Sequence, residues 1–403
     1  MKTVWAGLLA ATAVVSAGTA RAQNASPLDA IASGHLIMEE RLRYEDVDQA
    51  NFIRSAEALT LRTHLGWETG AWNQVKGLVE FEAVSHLGPE HFNDTVNKAT
   101  LYPGVNDPVT SELNRLQLTW APSPLFTATV GRQRLTLDDQ RFIGDANWRQ
   151  DETTFDAARV DSTYGKFSGT YVYIVKDNRN LAQTADYDSK SHGLIANYAF
   201  SPLFKLQGFL FALDLKQSPN GSTLTEGLKV TGQTAVSGVK LAYAARYAQQ
   251  RDYAANPGHY EVPYWMGEVS AGWSGWGVKA NYESLGSDGK HSFTTPFASL
   301  HTYQGWGDVF STPPARGVDD ANISATYNPP IKWRYASDIQ LFARHHDFHY
   351  ASGPGGLGTQ WNLGVQAGVV KGLTALIDYA DYHGVTAVPG RRKLWLQLDF
   401  ALG

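Results

Sequence analysis

Apolar and polar side chains alternate with a period of two through most of this chain, the pattern of strands with two unlike faces. The run Lys393–Phe400 is the clearest case. Leu394, Leu396, Leu398 and Phe400 fall on one face, and Trp395, Gln397 and Asp399 on the other. Leu59, Leu61, Leu65 and Trp67 likewise oppose Arg62 and His64, and Leu116, Leu118 and Trp120 oppose Arg115 and Gln117. Counted along the chain, such segments predict about 18 strands, with boundaries least defined near 203–236.

The connections between them come in two kinds. Short turns are predicted at 68–73, 122–124, 165–166, 201–202, 274–277, 328–331 and 371–372. Long polar loops are predicted near 86–110, 134–154, 177–189, 249–260, 285–317 and 345–358. Short turns on one rim and long loops on the other mark a membrane barrel rather than a soluble sandwich. Trp67, Trp120, Phe200, Trp265, Trp273, Tyr327 and Trp361 sit near strand ends, where aromatic girdles meet the lipid–water interfaces. The expected fold is all-β: a transmembrane antiparallel β-barrel of about 18 strands in a single domain, its outer face against outer-membrane lipid and lipopolysaccharide. A barrel of that size leaves an aqueous channel. The chain is therefore expected in the bacterial cell outer membrane, as a diffusion path.

Composition agrees without adding detail. There is no cysteine among the 403 residues, which excludes disulfides, thiolate metal sites and cysteine nucleophiles. Mean hydropathy is only -0.30, as expected when lipid-facing and lumen-facing residues alternate. Residues 1–22 read as a signal peptide: Lys2, then an apolar stretch from Val4 to Val15, then Ala20-Arg21-Ala22 as cleavage site. The predicted barrel occupies 23–403, and the few residues ahead of the first strand leave no room for a plug domain.

Candidate chemistry concentrates in one place. Arg132, Arg134, Arg141, Arg149 and Arg159 fall within one short segment, around a loop long enough to fold inward as a constriction. Alternation also turns Arg43, Arg62 and Arg115 toward the lumen. Guanidinium groups suit bidentate contact with carboxylates and stay charged at any relevant pH; at a narrow point they favour anions. The same segment holds Asp138, Asp139, Asp145, Asp151, Glu152 and Asp156, so the arginines either face the path or pin the loop through ion pairs. Across the whole inner wall, acidic and basic side chains nearly balance, which does not support a uniformly positive pore.

Gly131-Arg132-Gln133, Asp139-Gln140-Arg141-Phe142-Ile143-Gly144 with Trp148-Arg149-Gln150, and Thr154-Phe155-Asp156-Ala157-Ala158-Arg159 together resemble the alginate-export family of outer-membrane proteins. Arg41-Leu42-Arg43-Tyr44-Glu45 and Pro296-Phe297-Ala298-Ser299-Leu300-His301-Thr302-Tyr303-Gln304-Gly305-Trp306 are similar as well. The resemblance implies a monomeric 18-stranded barrel that passes an anionic polysaccharide through an arginine-rich constriction. It carries Arg132, Arg141, Arg149 and Arg159 over as path or loop-anchoring residues.

The expected function is passive passage of anionic poly- or oligosaccharides, or of small carboxylated solutes; a general diffusion porin is the alternative. No enzymatic constellation, cofactor, metal site or nucleic-acid partner is expected. In Arg344-His345-His346-Asp347 alternation sends the two histidines to opposite faces, and placement near a loop tip predicts solvated or interfacial rings. Asp319-Asp320 and Asp186 with Asp188 read as solvated loop charges, and Gly353–Gly358 as a flexible turn without the lysine and helix of a phosphate loop.

Overall fold

The computed structural model describes residues 26–402, apart from 332, 334 and 335; the predicted signal peptide lies outside them. Eighteen strands follow in chain order. They are β1 (His35–Gln49), β2 (Ala56–Glu68), β3 (Val75–His86), β4 (Thr110–Ser123), β5 (Phe126–Gln133) and β6 (Thr154–Tyr164). Next come β7 (Phe167–Asn178), β8 (Tyr187–Ser201), β9 (Phe204–Leu213), β10 (Thr223–Val236), β11 (Val239–Asp252) and β12 (Glu261–Trp273). The last are β13 (Trp276–Leu285), β14 (Val318–Tyr327), β15 (Ser337–His349), β16 (Gly356–Val370), β17 (Leu373–His383) and β18 (Arg391–Ala401).

Each strand pairs antiparallel with its sequence neighbours, and β1 pairs with both β2 and β18, so the sheet closes on itself. Closure leaves no unpaired edge, the condition for strands to cross lipid. Leu396 lies opposite Tyr44 and Ile377 and points outward with Leu398; Trp395 and Gln397, on either side of Leu396, are buried inside. Trp265 and Trp361 mark the lipid face near the long-loop rim. Trp120, Trp273, Phe200 and Tyr327 mark it near the short-turn rim. Replacing Leu396 by Arg at mid-strand is expected to cost about 2–4 kcal/mol. Equilibrium unfolding from lipid vesicles reads this cost; no loss of stability would mean that the face does not meet lipid.

Two predicted boundaries shift. β11 runs to Asp252 and β15 to His349, so the residues expected at the tip of loop 345–358 belong partly to a strand. His345 and His346 do take opposite faces. His345 lies against Trp361 on the outside, whereas His346 is buried in the lumen, its Nδ1 facing Asp320 at 2.9 Å and its Nε2 facing Asn362 at 3.2 Å. Asp320 is therefore a buried partner of His346 rather than a solvated loop charge. Arg54 lies in the β1–β2 loop, its Nη1 donating to Tyr102 Oη at 2.9 Å.

β5 and β6 are short, 8 and 11 residues. The loop between them therefore leaves the wall partway up the barrel, and it turns into the lumen.

Candidate functional site

The buried hydrophobic residues form three clusters, each fastening a long loop to the inner wall. The largest joins Leu135, Leu137, Phe142 and Ile143 of loop 134–153 to Phe155, Val172, Ile174, Ile195, Phe209, Phe211 and Tyr264 of the wall, with Phe293 and Phe297 of loop 286–317. Phe142 lies 5.1 Å from Phe209, 5.4 Å from Phe211 and 5.7 Å from Tyr264; aromatic pairs of this kind contribute about 0.5–1.5 kcal/mol each beyond area burial. Phe92 and Val105 pack on Val47, Ala56 and Ala58, bringing loop 87–109 over β1 and β2. Phe310 packs on Val318, Phe348, Leu357 and Tyr382.

Loop 134–153 spans the lumen. Its outgoing limb is latched to one wall. Asp138 accepts from Lys229 of β10 at 2.8 Å and from Arg246 of β11 at 2.8 Å, and Asp139 accepts from the same two cations. Burial would raise the Asp139 carboxyl, but Arg246 and Lys229 outweigh it and hold it well below the usual carboxylate range. Arg141 is fully buried: its Nε donates to Glu283 of β13, its Nη1 donates to Thr295 at 2.9 Å, and its guanidinium lies 4.5 Å over Tyr303.

The return limb crosses to the opposite wall. Arg41 Nη1 donates to the Asn147 carbonyl at 2.7 Å, with those of Trp148 and Arg149 close by, and Arg62 Nη1 donates to Asn147 Oδ1 at 2.7 Å. Gln150 Nε2 donates to Thr60 Oγ1 at 2.8 Å, and its backbone N–H to Asp107 Oδ1 at 2.9 Å. Loop 286–317 grips the first loop from the side. A parallel bridge joins Ile143 to Phe297, and Ser299 Oγ donates to Gln140 at 2.7 Å.

The arginines singled out by sequence take different places. Arg132 donates to Asp156 at 2.7 Å and to the Leu113 carbonyl at 2.9 Å. Arg159 pairs with Asp161 at 2.7 Å, and Arg115 with Glu80 at 2.7 Å. Arg134 pairs with Glu152 and approaches Glu80 at 3.8 Å. Arg43 is fully buried under Trp148, 4.3 Å from its ring, and donates to Gln397 at 2.7 Å.

Arg149 differs from the rest. It reaches Asp308 at 3.1 Å and Glu45 at 3.3 Å, and Lys393 reaches Asp308 at 2.8 Å. Burial works against its charge, but Glu45, Asp107 and Asp308 override that and raise the guanidinium pKa.

Two lumenal spaces lie beside these loops. One of about 990 Å³ runs along the wall from Lys240, Ser270 and Gly275 to Arg179, Ser311 and Thr312. A second of about 280 Å³ lies among Asn106, Arg391, Lys393 and Thr312. Arg149 and Asp308 border both. The larger space is lined by the basic side chains Arg149, Arg179, Lys240, Lys279 and Arg344 and by the carboxyl groups of Asp145, Asp177, Asp308 and Asp378, so basic and acidic groups are mixed at this site.

Its other feature is a run of flat rings. Trp148 stacks on His301 at 4.0 Å and 3°, His301 on Trp306 at 6.1 Å and 8°, and Trp306 on Phe342 at 4.8 Å and 28°, with Arg344 5.1 Å over Phe342. Sequence reasoning passed over this ladder, as well as Asp308, Arg391 and Lys393; alternation put Arg41 on the lumenal face beside Arg43 but did not bring it to this site. His301 and Trp306 were visible only as members of a shorter family-like stretch.

The family model described as alginate export matches residues 111–284. Among solved structures, Acinetobacter baumannii OccAB2 is similar with a TM-score of 0.74 at 14% identity, covering 93% of this chain and 98% of that one. Pseudomonas aeruginosa OpdO follows with 0.71 at 13% identity, covering 93% and 98%. P. aeruginosa OccK1 (OpdK) gives 0.69 at 12% identity, covering 92% and 99%. No curated protein sequence matches. The closed 18-strand barrel and the alginate export match make this a bacterial outer-membrane protein with a channel fold.

Proposed function

We propose that this outer-membrane barrel passes anionic oligo- or polysaccharides of the uronate type, or small carboxylated solutes, by passive diffusion. The observation that carries this reading is the position of Arg149, a charged guanidinium on the border of both lumenal spaces. Arg391 and Lys393 line the smaller space with it. A carboxylate moving between the spaces would exchange with Asp308 for these cations. Edges of the aromatic ladder and the nearby hydroxyls and amides suit the apolar faces and hydroxyl groups of sugar rings.

In this reading Arg132, Arg134, Arg141, Arg159, Arg115, Arg62 and Arg43 hold the loops and the inner wall, and Arg149 alone of the predicted set meets the path. The chain acts as a monomer, with residues 1–22 as export signal and 23–403 as one barrel domain. Permeation, not catalysis, is its role.

Planar-bilayer recording under a salt gradient tests the proposal. Wild type is expected to favour anions mildly, and to be blocked by oligouronates in a size-dependent way. Arg149→Glu is expected to lower the relative anion permeability several-fold, and Arg149→Lys to keep most of it. Cation selectivity that survives both substitutions would overturn the reading. A trimer conducting without sugar-dependent block would favour a general diffusion porin instead.

A further inference from the structure

Where the return limb of loop 134–153 meets β2, β3 and β4, buried carboxylates outnumber the cations paired with them. Glu80, Glu82, Glu112, Asp151 and Glu152 are all buried. Arg115 pairs with Glu80 and Arg134 with Glu152. Among the described residues, Glu82, Glu112 and Asp151 form no ion pair with a lysine or arginine. Buried charge without a counter-charge is strongly disfavoured, so this excess calls for a cation or for protons.

Geometry favours a cation. One ligand atom each from His64, Glu82 and Glu152 lies within 4.8 Å of the others, and the same holds for Glu82, Glu112 and Asp151. Glu82 belongs to both groups. Independently, Oε2 of Glu152 and Oδ1 of Asp151 are closed off from solvent and have no hydrogen-bond partner among the described residues, although both side chains are 0% exposed. Several neighbouring donors serve other oxygens, and His64 Nε2 itself contacts Glu82 Oε2. Asn114 Nδ2 donates to Glu152 Oε1 at 2.6 Å, the Ala182 N–H to Asp151 Oδ2 at 3.1 Å, and the Glu152 N–H to Glu82 Oε1 at 3.2 Å. Two buried lone-pair sites are thus left over beside an imidazole nitrogen.

We propose that this cluster binds one divalent metal cation, with Glu82 at its centre and His64 Nε2, Asp151 and Glu152 as the other ligands. A set of carboxylate oxygens with one imidazole suits Mn²⁺ or Zn²⁺; Mg²⁺ prefers to keep its waters. Glu39 lies 3.6 Å from the other ring nitrogen of His64, the place where a carboxylate orients a ligating histidine. Arg134 Nη2 stands 3.3 Å from the same nitrogen. The ion ties two loop residues to β2 and β3. It fastens the strap at its return end, as the Asp138–Asp139 latch does at the other.

The test uses the full refolded chain in detergent, stripped with EDTA and titrated separately with MnCl₂ and ZnCl₂ by calorimetry, with Mn²⁺ spin resonance alongside. One ion per chain and a rise in thermal midpoint are expected. Glu82→Gln and Asp151→Asn should each weaken binding at least tenfold, and Asp188→Asn, remote from the cluster, should leave it unchanged. Heat-modifiable migration on gels confirms that each variant barrel is closed. Absence of stoichiometric binding by wild type would overturn the proposal and leave a shared proton between Glu82 and Asp151 as the neutralising device. Binding that persists in the combined Glu82→Gln/Asp151→Asn chain would overturn it too, by placing the ion elsewhere. Because binding is read directly, the outcome is independent of what the channel passes.

Discussion

Replacing residues 138–150 by a short Gly-Ser linker is expected to raise single-channel conductance several-fold while the barrel stays closed. The wall does not depend on the loop: the strand ladder is complete without it, from β1 around to β18. On the proposed reading, flow is limited by the strap that runs from the Lys229–Arg246 side to the Arg41–Arg62 side, with a space of about 990 Å³ beside it. An 18-stranded barrel is otherwise wide enough for an open aqueous channel. The gain stops short of an empty barrel, because loop 286–317 keeps its own anchor through Phe310 on β14, β15 and β17. Planar-bilayer conductance in 1 M salt (about that ionic strength, so that surface charge is screened) is the measurement. An unchanged conductance would show that the strap does not form the constriction.

The second large effect is expected from Arg141→Met. Its guanidinium is fully buried, with Glu283, Thr295 and Gln304 as partners, and burial is outweighed by Glu283 in keeping it charged. Removing one member of such a pair leaves an uncompensated carboxylate, which costs about 3–5 kcal/mol. That cost falls on loop docking rather than on the barrel, because both partners of Glu283 beyond Tyr264, namely Arg141 and Gln304, come from loops. At about 1.4 kcal/mol per decade, hydrogen exchange at residues 138–144 should speed up by two to three decades. Pairing the change with Glu283→Gln should restore much of the protection, since neither charge is then stranded. Exchange that stays slow in the single variant would remove Arg141 from its role as anchor.

Part of this architecture was legible in particular residues. Leu394 to Phe400 alternate because one face meets lipid and the other the lumen, and β18 follows that register residue by residue. Phe209-Leu210-Phe211 was harder to read. Its apolar run breaks the alternation because β9 is covered on both faces, by lipid outside and by Phe142 inside. That is why the region 203–236 was the least defined. The arginine-rich segment was visible as a cluster, and its acids as possible partners, but pairings such as Arg141 with Glu283 or Arg149 with Asp308 join residues far apart in the chain. No local pattern announces them.

The amino-acid sequence by itself determined the barrel, because the two-residue period of a strand writes the division between lipid and water directly into neighbouring positions. It also determined the long loop and its charge. Only the tertiary structure decided that the loop lies across the lumen, that all three of its arginines are held in ion pairs while Arg149 also borders both lumenal spaces, and that Glu82 meets His64 and Glu152 on one side and Glu112 and Asp151 on the other. Those outcomes depend on which wall each limb reaches. They are set by contacts between distant segments inside a closed barrel, where burial and long-range charge act without any periodic trace along the chain.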